Sequence, residues 1–313
     1  MEYAYPNVLV TTQWINDHLN DPKVRIVEVD YIPATSYILG HIPGAVSFDW
    51  KQDIIDSRKR DVISKHDLEE SLQRIGVNND TTIIVYGDFK NWFATFAFWI
   101  FKYYGVQDVR LMNGSRKKWL EEDRPISVDT PSYPRGNFKA SGPDESIRVF
   151  MNYVKDVIGS QDKILVDVRT NDEYNGKTLA PTEYSTEYGQ VGGHIPGAVN
   201  VPWSKMVNED GTLKSADELK KLYESVNVTP DKEIITYCGI GERASYTWFV
   251  LKYLLGYPNV KTYDGSWLEQ DNNMENPIEN EKLIKESNYL LYTEMNECIL
   301  GIALENNGLE LMG

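Results

Sequence analysis

The sequence predicts an α/β protein of two tandem domains of the same kind. Each is a mostly parallel sheet flanked by helices, and a C-terminal helical tail follows. Three observations carry this. First, the chain is written twice: "HIPGAV" stands at 41–46 and 194–199, "RIVEVD" (25–30) is answered by "ILVDVR" (164–169), "TIIVYG" (82–87) by "EIITYC" (233–238), and "NGS" (113–115) by "DGS" (264–266). The matches keep their order at separations of about 140 to 150 residues, too long for a solenoid repeat. Second, short apolar runs alternate with long ones. Third, "PSYPRGNFKASGPDES" at mid-chain is rich in Pro, Gly and Ser and reads as a linker.

The elements follow in order. "VRIVEVD" and "KILVDV" are nearly continuous apolar runs, as strands buried on both faces require. "TIIVYG" and "EIITYC" are similar. "SKHDLEESLQRIG" and "SADELKKLYESV" each begin at a serine N-cap with acids in the first turn, which predicts helices. "NWFATFAFWIFKYYG" and "ERASYTWFVLKYLLG" are helix-length apolar stretches ending in glycine. A further strand follows each, at "VRLMN" and "VKTYD", completing βαβ units. The expected division is a first domain over 1–135, a linker over 136–147, a second domain over 148–278 and a helical tail over 279–313.

Composition narrows the function. With 41% hydrophobic, 12% aromatic and 25% charged residues, the chain is globular in type. A net charge of -15 argues against nucleic acid or an anionic membrane as partner. Two cysteines in 313 residues make no disulfide framework, which points to a reducing, cytoplasmic setting. The start "MEYAYPNVLV" lacks a basic region and an apolar core, so it does not read as a secretory signal, and the sequons at Asn79, Asn113 and Asn227 carry no weight. Nothing shows metal-ligand spacing, and no cofactor motif is present.

Chemistry concentrates at "YCGIGERAS", Tyr237 to Ser245. Aligning the repeats sets Gly87 opposite Cys238, and the first copy lacks the thiol, both glycines and the arginine. This predicts one active domain and one inactive partner. A cysteine off the C-terminal edge of a parallel strand lies where α/β ligand sites form. Gly239 and Gly241 permit positive φ, backbone N–H groups can then turn toward the sulfur, and a helix starting near Glu242 or Arg243 adds its positive end. The expectation is a solvent-reachable Cys238 of lowered pKa. Arg243 has two readings, a loop-ordering or anion-binding group and a structural ion pair; the need to attract an anion favours the first. Asp167 and Arg169 read equally as a cleft-edge pair and as strand-end caps. His41 and His194 occur in both copies, which favours structure over catalysis. Trp14 and Trp92 are candidates for a cleft wall against ordinary core packing, and Cys298 reads as a packed helix residue rather than a resolving thiol.

With these residues in place, the chain resembles the rhodanese superfamily and its two-domain members over about residues 8–278. The paired "HIPGA", "LVDVR", "CGIGER", "NGSRKKW" and "YDGSW" carry the resemblance. It implies an inactive N-terminal domain and a catalytic C-terminal one that forms a persulfide on Cys238. Gly239, Ile240, Gly241, Glu242, Arg243 and Ala244 would bind substrate or persulfide, and no cofactor would be needed. Four residues between cysteine and arginine resemble the sulfurtransferase loop; the phosphatases of the superfamily have five. The loop is neither "CRKGVT" nor "CGSGVT", and is similar to a microbial subgroup usually called thiosulfate sulfurtransferases. The implied partners are a small anionic sulfur donor and a thiol, cyanide or sulfur-carrier acceptor. A 3-mercaptopyruvate sulfurtransferase and a noncatalytic persulfide carrier stand as alternatives. Arg60 falls in the loop that such tandem proteins bring toward the partner domain's site, and reads equally as a solvated basic residue.

Overall fold

The computed structural model describes residues 2–56, 58–59, 61–180 and 189–280. The first domain carries strands β1 (Leu9–Val10), β2 (Val24–Asp30), β3 (Val46–Asp49), the short pair β4 (Ile55–Asp56) and β5 (Asp61–Val62), β6 (Thr82–Tyr86) and β7 (Val109–Met112). Its helices are α1 (Thr12–Asp17), α2 (Trp50–Asp53), α3 (Lys65–Arg74), α4 (Trp92–Tyr103) and α5 (Ser115–Glu121). The second domain carries β8 (Arg148–Val149), β9 (Lys163–Asp167), β10 (Val199–Asn200), β11 (Glu233–Tyr237) and β12 (Val260–Tyr263), with α6 (Met151–Val157), α7 (Asn171–Tyr174), α8 (Ala216–Glu224), α9 (Glu242–Phe249) and α10 (Ser266–Asp271).

Each domain holds a five-stranded parallel sheet, in the orders β1-β7-β6-β2-β3 and β10-β9-β11-β12-β8. The registers coincide: Glu28 pairs with Tyr86 as Asp167 pairs with Tyr237. The serine caps of α3 and α8 each accept a backbone N–H three residues on, from Asp67 and Glu218. The strands after each "HIPGA" and the edge strands β1 and β8 are too short to show a period in the sequence. The predicted tail lies, from residue 281 onward, outside the described residues.

α4 is buried at every position except Lys102, and all eight residues of α9 are buried. A helix apolar all round must be covered on every side. Here α4 and α9 pack on each other between the two sheets: Phe98 meets Phe249 edge to face at 4.9 Å and Tyr253 at 5.3 Å. Polar ties reinforce the junction. Lys118 pairs with Asp210 at 2.9 Å, Leu213 N–H donates to Asn113 Oδ1 at 2.9 Å, and Arg148 bridges Asp61 (2.5 Å) and Asp264 (2.7 Å). The C-terminal edge of β11 therefore faces a junction rather than open solvent.

Candidate active site

β11 ends at Tyr237, and Cys238 is the first residue beyond it. The start of α10 clamps the loop: Cys238 N–H donates to Ser266 Oγ at 3.2 Å, Trp267 N–H donates to the Cys238 carbonyl at 3.0 Å, and Leu268 N–H donates to the Gly239 carbonyl at 3.1 Å. Gly241 is the N-cap of α9 at φ 108, where a Cβ would stand 3.0 Å from the Asp264 carbonyl oxygen. Glycine is required there on both counts. Gly239 does not adopt a positive φ. This corrects the expectation for that residue; a single left-handed step turns the chain into the helix.

Gly241 N–H donates to Cys238 Sγ at 3.1 Å, and the Ala244 amide also faces the sulfur. On the other side Glu242 Oε2 lies 3.5 Å from Sγ, placed to accept from the thiol. Cys238 is 0% exposed. Burial pushes its thiol up to about 11, and the Glu242 carboxylate adds to the rise; Arg243 and the two amides oppose it without prevailing. The resting site is thus a sealed, protonated thiol, which overturns the expectation of an exposed cysteine of lowered pKa. The amides are where the motif puts them, but desolvation and one carboxylate outweigh them.

Arg243 is wholly buried and gives two hydrogen bonds to Glu173, at 2.9 and 3.0 Å. Its Nε is 3.5 Å from Glu242 Oε1, and its guanidinium lies 5.7 Å from the Trp92 ring. The ion-pair reading therefore replaces the anion-binding one. Burial works against charge on Glu173, and Arg243 more than offsets it, holding that carboxyl below its ordinary range. Glu173 also closes a capping box with Thr170 at the start of α7, so one carboxylate ties α7 to α9.

Arg169 is 1% exposed, bonds Asp167 at 2.6 Å and the Gly193 carbonyl at 2.6 Å, and stacks 4.5 Å from Trp267. The pair is enclosed within the second domain and anchors the segment before "HIPGA"; the strand-end reading holds. His41 and His194 stack on Tyr37 and Tyr174 at 3.8 and 3.6 Å, and the Nδ1 of each meets the same tyrosine's carbonyl. Trp14 of α1 stacks on His18, the residue just after that helix. Trp92 is near the loop and meets Trp203 of the second domain edge to face at 4.6 Å. Arg60 and Cys298 lie outside the described residues. Among the described residues no cluster of His, Cys, Asp or Glu could hold a metal, and no helix is long and apolar enough to cross a membrane.

Sequence reasoning missed Glu173, Ser266 and Trp203. The capping box "TNDE" and the repeated "GS" were the available signals for the first two. It also missed how the first copy is built at the position that answers Cys238. There Arg116 N–H donates to the Gly87 carbonyl at 3.1 Å, as Trp267 does to Cys238. Asn91 Oδ1 accepts Gly87 N–H at 3.0 Å, and a Cβ on Gly87 would stand 2.1 Å from the Val29 carbonyl oxygen. No cysteine fits that place without moving β2. The acid that pairs there, Glu28, bonds Arg116 at 2.9 Å and the Tyr86 hydroxyl, and burial with the nearby Asp30 charge pushes its carboxyl up to about 8.

A cleft of about 1010 Å³ opens between the domains beside the loop. Trp50, Lys51 and Phe96 line its first-domain side, and Ile240, Gly265 and Leu268 its second-domain side. Ile240 and Gly265 belong to the loop and its clamp, so the cleft ends next to the sulfur without reaching it.

The model of the rhodanese-like domain matches residues 11–122 and 151–272. A sulfur carrier protein, TtuD, of Thermus thermophilus is 51% identical over 281 residues, covering 89% of this chain and 98% of that protein. A protein of Mycolicibacterium smegmatis described as a putative thiosulfate sulfurtransferase is 50% identical, covering 88% and 99%. Among solved structures, the anaerobic ergothioneine biosynthesis enzyme of Chlorobium limicola with trimethyl histidine matches at a TM-score of 0.78 and 27% identity, over 88% of this chain and 71% of that one. A structure of EanB described as a cysteine persulfide in a tetrahedral intermediate state with ergothioneine matches at a TM-score of 0.78 and 27% identity, over 89% and 71%.

Proposed function

Because the chain belongs to the rhodanese-like family, we propose that it is a sulfurtransferase that carries sulfur on Cys238. It takes the outer sulfur of thiosulfate and passes it to a thiophilic acceptor, cyanide or a thiol. The observation that carries the reading is the Gly241 N–H aimed at Sγ from 3.1 Å, in a loop held at both carbonyls by α10. Such an amide stabilises the thiolate and, after transfer, the persulfide. The chemistry balances simply. The Cys238 thiolate attacks the sulfane sulfur, an Sγ–S bond forms, the S–S bond of thiosulfate breaks, and sulfite leaves with the electron pair. The acceptor then attacks the outer persulfide sulfur and Cys238 leaves as thiolate, a ping-pong cycle through a covalent intermediate.

The sealed sulfur is the physical objection to this reading. A buried thiol of raised pKa is an inert thiol. Turnover therefore requires an opened state in which the donor reaches Sγ from the neighbouring cleft, and solvent or substrate replaces the covering side chains. The route to the sulfur passes the Ile240 and Gly265 end of that cleft.

Incubation with thiosulfate followed by mass spectrometry tests the reading. The wild type gains the mass of one sulfur atom on Cys238, Cys238→Ala does not, and cyanide discharges the adduct. Steady-state kinetics on both donors settle the substrate: a higher kcat/KM on 3-mercaptopyruvate than on thiosulfate overturns the donor assignment. A second reading, a noncatalytic persulfide carrier, has support from the description of the Thermus relative as a sulfur carrier protein and from the enclosure of the sulfur. An adduct that only a protein acceptor discharges favours it.

A further inference from the structure

A second groove, of about 770 Å³, lies in the first domain away from the cysteine loop. At its inner wall stands Arg25, the second residue of β2 and 5% exposed. The Tyr133 ring covers the guanidinium at 3.3 Å. That ring is fixed by its hydroxyl, which donates to the Gly44 carbonyl at 2.6 Å. Arg25 Nε has no hydrogen-bond partner, and among the described residues no carboxylate pairs with the side chain. This is unusual in a chain with 47 acidic residues, because a buried charge is ordinarily paired. The other arginine of the groove, Arg135, is bonded to Glu70 (2.6 Å) and Gln73 (2.8 Å).

The fold itself does not need a cation at this place. Arg25 stands three residues before Glu28, and its counterpart three residues before Asp167 is Ile164, paired with Ile234 in the same register as Arg25 with Ile83. Stacking on Tyr133 satisfies one face of the guanidinium and leaves the donors at its edge. Burial lowers the pKa of Arg25, and Tyr133 offsets this only in part. Asn20 and Asn78 line the same groove, as does Asp21, whose Oδ1 accepts the Lys23 N–H at 2.9 Å, while Leu19, Pro22 and Pro43 give it apolar walls.

We propose that this groove is a binding site for a small oxyanion-bearing ligand, a carboxylate or phosphoryl group seated on the edge of Arg25 with its apolar part along the groove. Two parallel hydrogen bonds from a guanidinium to such a group are the geometry that arginine, and not lysine, provides. The site is separate from the cysteine loop and does not depend on the sulfur chemistry.

The test uses the full-length protein and three probes: inorganic phosphate, inorganic sulfate and acetate, each titrated at constant ionic strength against chloride. Calorimetry and thermal melting read binding in the wild type, Arg25→Ile, Arg25→Lys and Cys238→Ala. The expected result is saturable binding of at least one probe in the wild type and Cys238→Ala, weakened about tenfold or more in Arg25→Ile and to a smaller degree in Arg25→Lys. A preference for phosphate and sulfate assigns a phosphoryl-type ligand, and a preference for acetate a carboxylate. If the wild type shows no saturable binding, or Arg25→Ile binds like the wild type, the proposal is overturned. Should Arg25→Ile fail to fold, Arg25→Lys decides, and an affinity equal to the wild type's overturns the site.

Discussion

Glu242 Oε2 lies 3.5 Å from Cys238 Sγ, and both side chains are wholly buried. A carboxylate so close to a thiol opposes the thiolate that sulfur transfer needs. Glu242→Gln removes the charge and keeps the shape. The expected outcome is a fall of the Cys238 thiol pKa by about 1 or more, read by thiolate absorbance across a pH titration. Persulfide formation at neutral pH rises accordingly, provided thiolate supply limits the step. A slower reaction despite a lower thiol pKa would show instead that Glu242 takes the cysteine proton during attack.

The same geometry fixes the sign of the pH dependence. A thiol pushed up to about 11 is protonated across the neutral range, so the thiolate fraction grows about tenfold per pH step below that value. Single-turnover sulfur uptake is expected to climb steadily from neutral into alkaline pH. A plateau already at pH 7 would show that the reacting state has a much more acidic thiol than the sealed one.

How much of this was legible follows from what each signal measures. The repeat, the strand-end cysteine and the capped helices are local or periodic features, and the parallel sheets follow from them. The fate of Arg243 was not legible, because Glu173 comes from an element 70 residues away and the motif reads equally well with or without it. The raised thiol pKa was hidden for a related reason. Loop amides are visible in "CGIGER", but the burial that outweighs them is a product of tertiary packing around the loop. Composition in turn could not show Arg25 as a buried cation without a carboxylate partner, since "KVRIVEVD" looks like a strand with a solvated start.

The Glu173–Arg243 pair gives a stability prediction. Glu173→Gln removes the nearer of the two carboxylates beside a buried guanidinium and leaves Glu242 at 3.5 Å, expected to cost about 3 kcal/mol in denaturant unfolding. Arg243→Met together with Glu173→Gln should cost less than the sum of the single changes. Additive losses would show that the two residues act independently. In acid the sign is set by Glu173, whose folded-state pKa is depressed. Its contribution is present above the ordinary glutamate value, near 4.3, and is lost as pH falls through the folded-state value.

Glu28 predicts the opposite sign at the other end of the scale. Its carboxyl is pushed up to about 8 in the folded chain, so between about 4.3 and that value the folded state holds a proton that the unfolded state has released. Stability from this group is full below the ordinary glutamate value and declines as pH rises through 8. Glu28→Gln, which mimics the protonated form, should flatten the decline in melting temperature over this window. An unchanged slope assigns the loss to other groups.

The position of the first copy that answers Cys238 can be tested directly. A Cβ on Gly87 meets the Val29 carbonyl oxygen at 2.1 Å, a backbone atom of a central strand that cannot swing aside. Gly87→Cys in a Cys238→Ser background therefore lowers the melting temperature and takes up no persulfide, because Asn91 already holds the Gly87 N–H. A stable variant that takes up sulfur at residue 87 would show that the first domain lacks only a thiol. Failure with a measured loss of stability would show that its backbone excludes one.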